Sequence, residues 1–187
     1  METHRRRGTV ASVEVLWESY GTSTAPSVGN LVKSPSYANG YITFSTASTY
    51  RKGNAVIAAK DASGTILWSW HIWLTDTPYD QVYYGSAGTM MDRNLADSGK
   101  SEALGLLYQW GRKDPFLGSS SISQNTVAKS TSTWPAAVKS TSQTGTVEHS
   151  IKNPMKFITY NTYNYDWYYT GDESTDNTRW QSEKTIY

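Results

Sequence analysis

The sequence predicts a β-rich α+β protein, with an N-terminal antiparallel β segment over residues 10–75 and a second unit over 76–187 that carries one amphipathic helix. Apolar residues at alternate positions crowd the first segment, and one stretch at helical spacing follows it. The composition agrees: 8 Trp and 14 Tyr against 3 Phe, beside 47 Ser plus Thr, suits half-buried strands and polar surface loops.

Residues 1–9, with His4 and Arg5 to Arg7, read as a basic leader or tail; no apolar run follows them, so they do not make a secretory signal. Val13, Val15 and Trp17 then alternate with polar positions, the pattern of a strand with one buried face. Between Tyr37 and Phe44, Asn39-Gly40 marks a tight turn. Two β-rich runs, Asn54 to Lys60 and Thr65 to Thr75, are joined by Asp61-Ala62-Ser63-Gly64, in which Gly64 supplies the positive φ of a short hairpin loop. In the second run Ile66, Trp68, Trp70, Ile72 and Leu74 share a face, expected to be core, and Leu67, Ser69, His71 and Trp73 make a mixed face. Trp68 and Trp70 are therefore expected inside, His71 as a hydrogen-bonded structural residue, and Trp73 as a candidate contact for a ligand.

Further along, Asp92-Arg93 within Met91-Asp-Arg-Asn-Leu95 is expected to form a local ion pair that latches a loop. The helix is placed at Glu102 to Gly111, capped by Ser98 or Ser101, with Leu104, Leu107, Tyr108 and Gly111 on one stripe and Pro115 beyond its end. A Ser/Thr-rich loop at about 118–145 contains Lys-Ser-Thr-Ser twice, from Lys129 and from Lys139, and one anchor, Trp134-Pro135. A strand resumes near Met155 to Tyr160.

The candidate ligand-binding residues are Tyr165, Trp167, Tyr168 and Tyr169, with Trp73, since Tyr and Trp give large contact area at low entropic cost. The oxygens of Asp172, Glu173 and Asp176, near Asp166 and Asn177, leave calcium open as an alternative, although they lack the spacing of an EF-hand loop. Otherwise no cofactor is expected. A net charge of +1 gives no footprint for nucleic acid, and zero Cys excludes disulfides, Cys-ligated metal and thiol catalysis. No apolar run approaches the ~20 residues of a membrane helix, so the chain is not expected to span one. Phosphate-loop, His-Glu-x-x-His and Gly-x-Ser-x-Gly motifs are missing, and a non-enzymatic protein is expected. Paired carboxylates on separate loops would be the route to the alternative, a carbohydrate-active enzyme.

The strings Glu14 to Gly21, Gly40 to Phe44, Gly53 to Asp61 and Gly64 to Trp73 resemble a surface-protein module of gut Bacteroidetes, found in fimbrillin-type and related lipoproteins. Met91 to Leu95 followed by Gly105 to Phe116 is similar to the core of the Fibrobacter succinogenes major paralogous domain, whose fold is akin to C-type lectins and to formylglycine-generating enzymes. The resemblance runs from about Val10 to Tyr187. It implies an exported protein of the cell surface or outer membrane, a fimbrial component or adhesin, whose partners are a glycan, another host or bacterial surface ligand, or other surface subunits. A purely structural pilus subunit is the alternative. The family supplies no catalytic residues to carry over. Relatives continue past a Lys-Thr-Ile-Tyr like Lys184 to Tyr187 and carry export signals and further β structure ahead of Val10, so residues 76–187 are expected to be a partial C-type-lectin-like domain.

Overall fold

The structure, a computed structural model, describes residues 8–85, 88–97, 104–120, 126–160 and 166–169. It is strand-rich. A three-stranded antiparallel sheet organises it, in the order β1 (Ser12–Ser19), β4 (Gly53–Lys60), β5 (Ile66–Leu74). β4 is central and buried from Gly53 to Ala59, which explains its small and apolar composition: both of its faces are covered. On one face Ala55 and Ile57 pack with Tyr20, Leu31 and Val32, flanked by Val13, Val15, Ile42, Ile72 and Leu74. The covering element is the hairpin of β2 (Val32–Ala38) and β3 (Tyr41–Thr46). Its turn is the expected one, with Asn39 and Gly40 at φ +53° and +86° between the paired Ala38 and Tyr41.

The β4–β5 turn also forms where expected. Asp61 Oδ1 accepts from Ser63 N and Thr65 N at 2.9 Å each, and Gly64 takes φ +84°. Those hydrogen bonds, with one from the Ser63 hydroxyl first among them, hold the Asp61 carboxyl below its ordinary range. At the far end of β4 the chains are in near contact. A Cβ on Gly53 would lie 2.6 Å from Ser19 O and 2.8 Å from Leu31 Cδ1. Gly53→Ala is expected to destabilise the fold by about 2–3 kcal/mol, since backbone must shift to admit the methyl. A denaturant midpoint equal to that of the unsubstituted protein would contradict this close approach.

Two expectations about the sheet are overturned. Trp68 and Trp70 are 36% and 39% exposed, whereas Ser69 on the opposite face is 2% exposed. The apolar face is core only at its Ile72 and Leu74 end, where the β2–β3 hairpin lies. On the mixed face Ser69 is buried and His71 and Trp73 are half-buried, with their polar groups bonded. Ser69 Oγ donates to Asp114 Oδ1 at 2.6 Å, Lys113 Nζ to Ser69 O at 3.1 Å, and Trp73 Nε1 to Asp97 O at 2.9 Å.

The helix expected at Glu102 to Gly111 is not formed over the described residues of that range, 104–111. Residues 98–103 lie outside the described residues; Leu106–Tyr108 is a strand, β8, paired antiparallel with β9 (Pro115–Leu117). Gly105 and Gly111, at φ +82° and +78°, lie on either side of β8, and both disfavour a helix. Its apolar residues are divided between two sides, so that Leu107 is 56% and Trp110 71% exposed.

The helix of the described residues is instead α1, Val147–Lys152, capped by Thr146, whose hydroxyl accepts from His149 N at 3.1 Å. β6 (Asp80–Val82) and β7 (Thr89–Met91) form a hairpin beside Asp92-Arg93. Arg93 Nε and Nη2 grip the two Asp92 oxygens at 2.9 and 2.8 Å, the expected latch. β10 (Val138–Lys139) and β11 (Ile158–Thr159) pair in parallel, so the strand expected from Met155 to Tyr160 is shorter. Among the described residues no helix is long and apolar enough to cross a membrane.

Candidate functional site

The polar stretch after Ala128 laces onto the edge of β1. Lys129 N donates to Thr22 O and Thr131 N to Glu18 O, both at 2.9 Å. Ser19 Oγ returns a bond to Lys129 O at 2.7 Å, and Ser132 Oγ reaches Leu16 O at 2.5 Å. The first Lys-Ser-Thr-Ser is thus a strand-like strap. The second begins in β10, in a different setting, so the two copies are not a structural repeat.

The strap delivers Trp134 to the core. Its ring centroid lies 5.4 Å from that of Trp17, itself 1% exposed. From Trp134 a row of rings continues to Phe116 at 6.0 Å and on to Phe157 at 5.2 Å. Arg112 extends the row, with its guanidinium 5.0 Å from the Phe116 ring and 5.7 Å from Trp167. Arg112 Nη1 donates to Gln109 Oε1 at 2.6 Å and to Lys156 O at 3.0 Å. Burial pushes its pKa down to about 10, against the pull of Asp114, so it remains a cation at neutral pH.

One side of this row is open. A cleft of about 500 Å³ is lined by Trp134, Phe116, Phe157, Leu107, Leu117 and Met155, with Ala25, Val127, Ala128, Pro135 and Ala137. Lys129, Ser130 and Ser132 are its polar lining. Its size and apolar character are those of a ligand pocket. Five separate stretches of chain meet there, so it rests on the packing of the C-terminal half against β1.

Of the residues expected to bind a ligand, Trp73, Trp167, Tyr168 and Tyr169 are absent from the lining of this cleft. Trp167 is 4% exposed, and its Nε1 donates to Trp110 O at 2.7 Å; its indole packs in the row of rings instead of facing solvent. Tyr168 and Tyr169 are half-buried beside it, and Tyr169 N donates to Gly145 O at 2.8 Å. Trp73 is half-buried on the other side of β5, away from the cleft lining. Tyr165, Asp172, Glu173, Asp176 and Asn177 lie outside the described residues. Among the described residues no three His, Cys, Asp or Glu side chains gather where they would hold a metal ion. The cleft itself was signalled only by the anchor Trp134-Pro135.

A second polar cluster, beneath β5, is structural in its geometry. His71 Nε2 lies 2.9 Å from Asn54 Oδ1, and Nδ1 lies 3.3 Å from the Tyr108 hydroxyl. Asn54 Nδ2 donates to Ala96 O at 2.7 Å, so its Oδ1 is the acceptor and His71 Nε2 carries the proton. The Tyr108 hydroxyl, pushed up to about 12 by burial, stays protonated and donates to Nδ1. The ring is neutral and both nitrogens are satisfied.

Comparison with family models, with curated proteins and with solved structures finds no match to this chain.

Proposed function

We propose that the chain is a non-enzymatic binding module of a cell-surface or fimbrial protein, and that its ligand docks in the cleft lined by Trp134 and Phe157. The observation that carries this reading is a concave, aromatic surface of about 500 Å³ held by buried neighbours: Trp134 is braced by Trp17, and Phe157 by Phe116. A site whose rings are fixed before a ligand arrives avoids the entropic cost of ordering them. The surface assignment rests on the resemblance to Bacteroidetes surface proteins, and a partial lectin-like fold belongs to the same reading.

The test is a binding screen against glycans, peptides and lipid-like amphiphiles, repeated with two variants. Trp134→Ala removes the central ring and is expected to weaken binding about tenfold or more. Val127→Asp is the cleaner variant, because Val127 is 64% exposed and lines the cleft, so a carboxylate there obstructs entry without disturbing the core. Trp70→Ala, outside the cleft lining, is expected to leave binding unchanged. Binding that survives Val127→Asp and falls with Trp70→Ala would contradict the assignment. A cooperatively folded chain that binds nothing would favour a purely structural subunit.

A further inference from the structure

The polar groups around the cleft restrict the chemistry of what it can take. Ser130 Oγ donates to Ser132 O and accepts from Trp134 Nε1, each at 2.9 Å, and Ser132 Oγ donates to Leu16 O. Both hydroxyl protons are therefore turned into the protein. Two nearby amides are used too: Ala128 N donates to Gly118 O, and Lys129 N to Thr22 O, both at 2.9 Å. A sugar or a peptide seated here would lose water from its hydroxyls or amides and find few partners, at about 1–3 kcal/mol for each group left unpaired. An alkyl chain loses nothing of that kind on burial.

Among the described lining residues one is charged. Lys129 lines the cleft, no described residue takes its ammonium into an ion pair or hydrogen bond, and none of the described lining residues is acidic. We infer that the cleft takes a free single-chain amphiphile, an alkyl chain with an anionic head such as a fatty-acid carboxylate, with the chain against Trp134, Phe116 and Phe157 and the head at Lys129. The inference rests on the cleft being the binding site.

Calorimetric titration with octanoate, decanoate, dodecanoate and tetradecanoate, and with the matched 1-alkanols, tests it. Each buried methylene is worth about fourfold in affinity, so each step of that series is expected to gain about fifteenfold until the cleft is filled. Carboxylates are expected to bind about two- to fivefold tighter than the alkanols, the strength of an exposed ion pair. Lys129→Gln, which keeps the main-chain bonds of the strap, is expected to abolish that preference and keep the dependence on chain length. A flat response to chain length, or a carboxylate preference that survives Lys129→Gln, overturns the inference. Co-sedimentation with phosphatidylglycerol vesicles without binding of the free carboxylates overturns it in favour of a membrane surface. Binding of an oligosaccharide or peptide that Val127→Asp abolishes, with no alkyl binding, overturns the amphiphile and leaves the cleft as the site. If Val127→Asp alters binding of none of the three classes, the cleft reading itself is wrong.

Discussion

Glu18→Ala is expected to lower stability by at least about 3 kcal/mol. Glu18 is 1% exposed, and its carboxylate receives three main-chain amides: Gly29 N at 2.6 Å, Leu31 N at 2.8 Å and Val32 N at 2.7 Å. Charge-assisted bonds of this kind are roughly twice as strong as neutral ones, and each buried amide left without a partner costs about 1–3 kcal/mol. The bonds also hold Leu31 and Val32 where they cover β4, so their loss uncovers part of the core. Glu18→Gln is expected to fall between, because its one carbonyl oxygen can still accept two of the three amides. Denaturant unfolding measures the loss, and amide exchange at Gly29, Leu31 and Val32 shows whether it is local. A loss below about 1 kcal/mol would mean that the loop is held by something else.

Acid is expected to remove about 3 kcal/mol of stability through His71 alone. Burial, against the opposing charge of Asp114, pushes its pKa down from 6.5 to about 4. The unfolded chain thus binds a proton between those two values that the folded chain refuses, so stability rises with pH across that window. The contribution is complete above pH 6.5 and is lost as pH falls from there to about 4. Protonation would put a second N–H on the ring facing Tyr108, in a site built for the neutral tautomer. His149 is also held below its ordinary range, by burial first and then by Lys156 and Arg112, so stability measurements alone would blend the two. An NMR titration of the His71 ring separates them. A midpoint near its ordinary 6.5 would contradict the buried, neutral assignment.

What the sequence made legible was local. The Asn39-Gly40 and Asp61-to-Gly64 turns and the Asp92-Arg93 pair depend on residues next to one another, and all three formed as read. Faces were harder, because period-2 alternation assigns Trp68 and Trp70 to one side of β5 without saying how far the covering hairpin extends. On the other side Ser69 is buried and His71 and Trp73 half-buried by bonds to Asp114, Asn54 and Asp97, partners that come from elsewhere in the chain. The apolar spacing from Leu104 to Trp110 suits a helix as well as a hairpin; Gly105 and Gly111 were the available sign of the latter. Glu18 gave no warning, since a carboxylate at the end of a strand pattern reads as surface until a loop folds onto it. The cleft was the least legible, because Leu107, Phe116, Trp134 and Phe157 meet only through tertiary packing.

The central claim, that ligand enters the cleft at Trp134, is tested most directly by the indole N–H resonances of the labelled protein during titration with dodecanoate and, in parallel, with an oligosaccharide panel. The Trp134 indole N–H is fixed by its bond to Ser130 Oγ, and its signal is assigned by its disappearance in Trp134→Phe. The account predicts that this resonance moves saturably with the bound ligand while that of Trp70 stays in place. A ligand that binds and shifts Trp70 or Trp110, leaving Trp134 unmoved, would contradict it.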